Sequence, residues 1–259
     1  MGRSFDAKKQ MKLSIITPVL NGETFINNCI ESVQSQLNVE VEHVIVDGGS
    51  TDKTIKILDE QKHSYIGLPK SSIYEAINAG IMASSGEIIG FLNVDDHYAS
   101  SKSLSLIHQE FLNDDINFCY GNCNFSNENG ILLYKLISDS KLFYNISKLR
   151  IFNVSHPCFF VNRSVFDDFL FDTNYRYVSD CDFFLKLVKF KKKYKYLNFS
   201  LVNFVLHGYN QSSSVAAKNE SKELFSKYNL KALYFINRIL LILLYSRDFR
   251  YFKYRLFRK

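Results

Sequence analysis

The chain has 259 residues, 46% hydrophobic and 22% charged, an ordinary globular composition with core enough for one large or two modest domains. Its formal charge of +6 is a modest excess suited to an anionic substrate or surface. The five cysteines show no paired CxxC spacing, which excludes a structural zinc site; Cys119 and Cys123 alternate as core residues of a strand would, and the odd count suits a reducing compartment.

Residues 1–10 read as a polar tail with no apolar run, so no signal peptide is expected. Leu13 to Thr17 is a short apolar run ending at Pro18, a buried-strand signature. Phe25, Ile26, Cys29, Ile30, Val33 and Leu37 then recur at helical spacing. A strand from Val39 to Val46, a helix from Thr54 to Glu60, a strand from Tyr65 to Leu68, a helix from Ile73 to Ala83 and a strand from Ile88 to Leu92 follow. Strands alternating with helices predict a mostly parallel sheet flanked by helices. Beyond Asp96 the pattern loosens. Leu104 to Leu112 reads as a helix, and Phe118 to Cys123 and Ile131 to Leu136 as strands. Cys158 to Val161 is a strand, Ser164 to Leu170 a helix capped by Ser164, Asp180 to Lys189 a helix, and Val202 to His207 the last strand. From about Lys218 the character changes. Leu233 to Tyr245 is apolar but interrupted by Asn237 and Arg238, and too short to span a bilayer. Beyond it Arg247, Arg250, Lys253 and Arg255 interleave with Tyr245, Phe249, Phe252 and Leu256 at helical spacing. That pattern suits an interfacial helix on anionic lipid, or else a terminal helix packed on the domain with a solvated basic face.

Two acidic clusters follow apolar strands: Asp47-Gly-Gly-Ser-Thr-Asp52 after Val46, and Asn93-Val-Asp-Asp96 after Leu92. In open α/β sheets ligands bind outside the carboxyl ends of the strands, so both clusters are expected to face one crevice. Neither is a GxGxxG or P-loop phosphate cradle. Carboxylates there repel a diphosphate unless a divalent cation intervenes, which points to a metal-dependent enzyme acting on a nucleotide-diphosphate substrate.

Four ordered segments, Leu13-Ser-Ile-Ile-Thr-Pro-Val-Leu-Asn21, Asp47-Gly-Gly-Ser-Thr-Asp-Lys-Thr54, Ile73-Tyr-Glu-Ala-Ile-Asn78 and Phe91-Leu-Asn-Val-Asp-Asp96, resemble the family 2 glycosyltransferases. The likeness runs over the first 100 residues or so, with weaker echoes to about residue 213. It implies a GT-A (Rossmann-like) α/β fold, to which the residue pattern adds a C-terminal amphipathic helical tail. It also implies an inverting transfer of one sugar from a nucleotide sugar, usually UDP-linked, with Mn²⁺ or Mg²⁺. On that pattern residues 11–100 form the nucleotide-sugar half, 101–215 the acceptor half of the same domain, and 216–259 a basic amphipathic region. Thr17, Pro18, Asn21, Asp47, Gly49, Ser50, Asn78, Asn93 and Asp95 fall to the nucleotide and donor, with Asp47 on the base. Asp95, Asp96 and His207 fall to the metal, His207 alternatively to the diphosphate; Asp180 matches the catalytic base. His156 and Asp182 fall on the acceptor side, His156 being equally readable as a core or surface histidine.

The helix supports Asp180. Asp182 stands four residues before Lys186, the favourable order for a solvated pair, whereas Asp180 stands four before Phe184, on the apolar side, where partial desolvation would favour a base. The pattern departs from the family at Asn93, in place of the commoner first Asp, and at Lys70, Ser72 and Glu75. With no Trp the chain lacks the QxxRW signature of processive synthases. The implied partners are a nucleotide-sugar donor, a lipid-linked or saccharide acceptor and, through the tail, the inner face of the cytoplasmic membrane; no nucleic acid is expected. A sugar nucleotidyltransferase would need a Gly-rich loop where Thr17-Pro-Val-Leu-Asn21 stands, and a non-catalytic scaffold would not need Asp47, Asp95, Asp96 and Asp180 together.

Overall fold

The computed structural model describes residues 11–138, 155–206 and 215–230. The chain divides into two units, Met1–Ser140 with Asn153–Asn210, and Lys141–Phe152 with Gln211–Lys259. The first is built on a sheet that has nine strands among the described residues. β1 (Leu13–Val19), β2 (Val41–Asp47), β3 (Tyr65–Gly67) and β4 (Ile88–Phe91) are mutually parallel in the order β3-β2-β1-β4. β1 is buried along nearly its whole length, the burial of a strand covered on both faces, which explains why its sequence is apolar without alternation. Its even-numbered residues face β4, as the bond from the Leu92 amide to the Ile16 carbonyl shows. Pro18 therefore lies on that side, past the last β4 partner at Ile16, where its missing N–H breaks no ladder.

The connecting helices are α1 (Ile26–Gln34), α2 (Thr54–Glu60) and α3 (Ile73–Ala83). α3 begins in a capping box: the Glu75 amide donates to the Ser72 hydroxyl (3.3 Å) and the Ser72 amide to the Glu75 carboxylate (2.7 Å). It packs close over β1 at Gly80, where a Cβ would collide with Ile16. From β1 the chain builds outward through β2 and β3, then returns to the other side of β1 as β4, so the ends of β1, β2 and β4 meet at a topological switch point.

Beyond β4 the sheet becomes mixed. It continues through the two-residue β5 (His97–Tyr98), α4 (Ser103–Asn113), β6 (Phe118–Asn127), β7 (Leu132–Leu136), β8 (Phe159–Asn162), α5 (Ser179–Lys189) and β9 (Tyr194–Leu206). β8 is antiparallel to both β4 and β6, β7 is antiparallel to β6, β9 is parallel to β6 and β5 antiparallel to β9. The expected parallel sheet thus holds for the first four strands. Ser164 to Leu170, expected to be a helix, is a short 3-10 turn over Arg163–Asp167, capped by the Asn162 carboxamide rather than by Ser164. The last strand starts at Tyr194, eight residues before the expected Val202, because β6 runs the length of it as a partner. Arg163 ties β8 to α3: its guanidinium donates to the carbonyls of Gly86 (2.5 Å) and Ile81 (3.2 Å) and to the Ser84 hydroxyl (2.7 Å). Phe91, Phe159, Phe171, Phe183 and Phe184 form an aromatic core behind β4 and α5, with Phe171 stacked on Phe183 at 4.6 Å.

In the second unit the described element is the helix Val215–Lys227, α6. The tail's apolar and basic stretches beyond residue 230, on which the membrane reading rests, lie outside the described residues, as does His207.

Candidate functional site

The loops after β1 and β2 are bonded to each other. Asn21, in the left-handed region at φ 55°, accepts from the Thr51 amide (2.8 Å), and its own amide donates to the Ser50 hydroxyl (2.8 Å). The Gly22 amide donates to Thr54 Oγ1 (2.8 Å), the Glu23 amide to the Asp52 carboxylate (3.0 Å), and the Lys53 amide to the Glu23 carboxylate (2.9 Å). Asp47 stands at the end of β2, 4% exposed. Its Oδ2 accepts from the Gly49 (2.8 Å) and Ser50 (2.9 Å) amides, and its Oδ1 from the Ser50 hydroxyl. Gly49 turns at φ 99° directly against Pro69, a conformation that disfavours a side chain. Asp47 therefore shapes the turn on which Gly49 and Ser50 sit.

Thr17 and Asn78 carry structural bonds. The Thr17 hydroxyl is fully buried, 2.9 Å from His43 Nε2. Burial pushes the His43 imidazole down to about 3, with His63 adding to the effect, so it is neutral at working pH. Asn78 clamps the Phe171 backbone at both ends: its amide donates to the Phe171 carbonyl (2.9 Å) and its oxygen accepts from the Phe171 amide (3.1 Å).

After β4 the neighbouring aspartates differ. Asp96 is 2% exposed; one oxygen accepts from the Asn93 carboxamide (2.7 Å) and the other from the Val205 amide of β9 (3.0 Å). Burial, then the charge of Asp95, pushes its carboxyl well above the usual range. Asp95 is half-buried.

Asp180 opens α5. Its Oδ1 accepts from the Tyr74 hydroxyl (3.2 Å) and the Cys181 amide (2.8 Å). His156 sits in the 3-10 turn His156–Cys158; burial pushes its ring down, and the charges of Asp180 and Asp95 pull it up. The expected contrast between the two acids of α5 is reversed. Asp182 is fully buried, its ion pair with Lys186 (2.8 Å) enclosed rather than solvated, and Asp180 is the half-buried one. Helical spacing identified the Lys186 pair but not that the buried face of this helix, with Phe183, Phe184, Leu185 and Leu187, is broad enough to take in Asp182. Nothing in the sequence marks Tyr74 as a partner of Asp180 beyond its place between Ile73 and Glu75 in a family-like segment.

No group of three His, Cys, Asp or Glu side chains among the described residues is arranged to hold a metal ion. Asp95 supplies a carboxylate of the hard oxygen type that Mg²⁺ and Mn²⁺ take, and such ions are commonly held by one or two carboxylates together with substrate phosphates.

Residues 14–170 match the profile of Glycosyl transferase family 2. The chain belongs to this family. It is 29% identical over 225 residues to the Escherichia coli UDP-Glc:alpha-D-GlcNAc-diphosphoundecaprenol beta-1,3-glucosyltransferase WfgD, covering 84% of each chain. It is 30% identical over 207 residues to a chondroitin synthase and to a hyaluronan synthase of Pasteurella multocida, covering 77% of this chain but spanning only 21% of the length of either synthase. Among solved structures, S. aureus TarS 1–349 in complex with UDP-GlcNAc superposes with a TM-score of 0.66 at 19% identity, over 83% of this chain and 64% of that one. The Mycobacterium tuberculosis glucosyl-3-phosphoglycerate synthase, solved with Mn²⁺, UDP and phosphoglyceric acid, superposes at 0.62 and 15% identity, over 84% and 78%. The fold of this family 2 member is GT-A.

Proposed function

We propose that the chain is an inverting glycosyltransferase that moves one sugar from a UDP-sugar to a hydroxyl of a lipid-linked saccharide during surface-polysaccharide assembly. The observation that carries this is the family 2 match over residues 14–170, in a chain with Asp95 in the turn after β4 and Asp180 at the start of α5. The substrate named in WfgD and the UDP-GlcNAc bound in TarS support the donor and acceptor classes. In this reading Asn21, Gly49 and Ser50 line the nucleotide pocket above Asp47, and Asp95 holds a divalent cation. That cation, when bound, neutralises the leaving diphosphate. Asp180 accepts the proton of the acceptor hydroxyl as it attacks the anomeric carbon from the opposite face. His156 serves the acceptor side in this reading. Asp96 supports the turn that presents Asp95, and the residue 231–259 tail rests the enzyme on the anionic inner face of the cytoplasmic membrane.

Calorimetric titration of UDP, GDP and dTDP, with and without Mn²⁺, into the wild type and Asp95→Ala tests the reading. Metal-dependent binding of UDP that is lost in the variant is the expected result. Failure of all three nucleotides to bind would replace the enzyme with a non-catalytic partner of another glycosyltransferase.

A further inference from the structure

Asp180 is held by two donors among the described residues, and both reach the same oxygen: the Tyr74 hydroxyl (3.2 Å) and the Cys181 amide (2.8 Å) meet at Oδ1. The Cys181 bond comes with the helix start; the Tyr74 bond spans 106 residues and joins two different helices. Tyr74 is itself fixed at both ends. Its ring is 6% exposed and stacked on Phe171 (5.8 Å, 12°). Phe171 is stacked in turn on Phe183 of α5 (4.6 Å, 13°), one turn beyond Asp180. Asn78, one turn beyond Tyr74 on α3, clamps the Phe171 backbone, and the Ser72–Glu75 capping box fixes the start of α3. The contacts close into a ring: Asp180 to Tyr74, Tyr74 to Phe171, Phe171 to Phe183, and back along α5 to Asp180. Burial and the neighbouring Asp180 charge push the Tyr74 hydroxyl up, so it remains a protonated donor.

We propose that Tyr74 is a positioning residue for the base: by occupying Oδ1 it sets the plane of the Asp180 carboxylate and leaves Oδ2 to take the acceptor proton. This rests on the reading of Asp180 as the base given above. A carboxylate with two interchangeable oxygens on a half-exposed helix start has rotational freedom about χ2, and a long-range donor at one oxygen removes it. Among the described residues, the hydroxyl of Tyr74 from α3 and the amide of Cys181 on its own helix bond Asp180, and its charge also acts on the ring of His156, in the turn before β8.

The test compares wild type, Tyr74→Phe, Asp180→Asn and the double variant in the Mn²⁺-supported hydrolysis of UDP-glucose and of UDP-N-acetylglucosamine, with water as the attacking hydroxyl, read as UDP release from whichever the wild type turns over faster. Tyr74→Phe keeps the ring and its stack. It is expected to lower kcat about tenfold while leaving the donor KM and UDP binding unchanged. In the Asp180→Asn background the same change is expected to have no further effect, because the hydroxyl acts only through that carboxylate. Wild-type kcat in Tyr74→Phe, a loss shared equally with KM, or a persisting loss in the double variant would overturn the positioning role and leave the base reading standing. Full activity in Asp180→Asn would instead overturn the base and Tyr74's role with it. Should Tyr74→Phe prove poorly folded, Phe171→Leu, which removes the stack but spares the hydroxyl, is expected to reproduce the kcat loss; unchanged kcat there also overturns the role.

Discussion

Replacing Asp96 with alanine strips the acceptor from the Val205 amide and the Asn93 carboxamide, both in buried or half-buried surroundings. A buried donor left unpaired costs about 1–3 kcal/mol, so Asp96→Ala is expected to lower the urea midpoint clearly. Asp95→Ala, one residue away and half-exposed, is expected to change the unfolding free energy by no more than about 0.5 kcal/mol while removing metal-dependent nucleotide binding. A variant pair with the opposite pattern would assign the metal to Asp96. Residue identity alone made both acids metal candidates; the difference lies in what β9 brings to Asp96 from 109 residues away, which no local pattern encodes.

At the level of elements, α3 is joined to the segment before α5 by Asn78. Asn78→Ala removes two bonds to the Phe171 backbone and is expected to cost about 2 kcal/mol in urea unfolding, with UDP binding preserved. The start of β1 is joined to β2 and to the turn before β4 through Glu42. Burial pushes its carboxyl up, but the Ser14 hydroxyl, the Ser85 amide and hydroxyl and the Lys12 ammonium together hold it down at about 2. Its folded value is below the ordinary 4.5, so its contribution is fully present above pH 4.5 and is lost as the pH falls toward 2. Glu42→Gln is therefore expected to lower stability by about 1 kcal/mol at neutral pH, a difference that shrinks to nothing in unfolding series taken down to about pH 2. The elements up to Phe91 were legible because each states its own rule: β1 by an unbroken apolar run, α3 by Ser72 with Glu75 three residues on. The two-residue β5 and the first half of β9 were not, since each is a strand only by virtue of a distant partner.

Across the whole molecule, the sequence conveyed a parallel half with acidic turns at its carboxyl edge but not the antiparallel strands that follow it. Those depend on β8 entering between β4 and β6, a matter of long-range pairing rather than of period. No helix among the described residues is long and apolar enough to cross a membrane. The proposed attachment through the basic tail predicts that the full chain floats with phosphatidylglycerol vesicles and not with phosphatidylcholine vesicles. Replacing Arg250, Lys253 and Arg255 by Glu is expected to abolish flotation without altering UDP binding, and equal flotation of the variant would place the basic residues in ordinary solvent. The stitched loops after β1 and β2 have a kinetic consequence. Asn21, Gly22, Glu23, Ser50, Asp52 and Thr54 are already bonded to one another, so a ligand docking there does not have to freeze a mobile backbone first. Its capture is then governed by diffusion and orientation rather than by loop ordering, and tight or weak binding is decided by how long it stays.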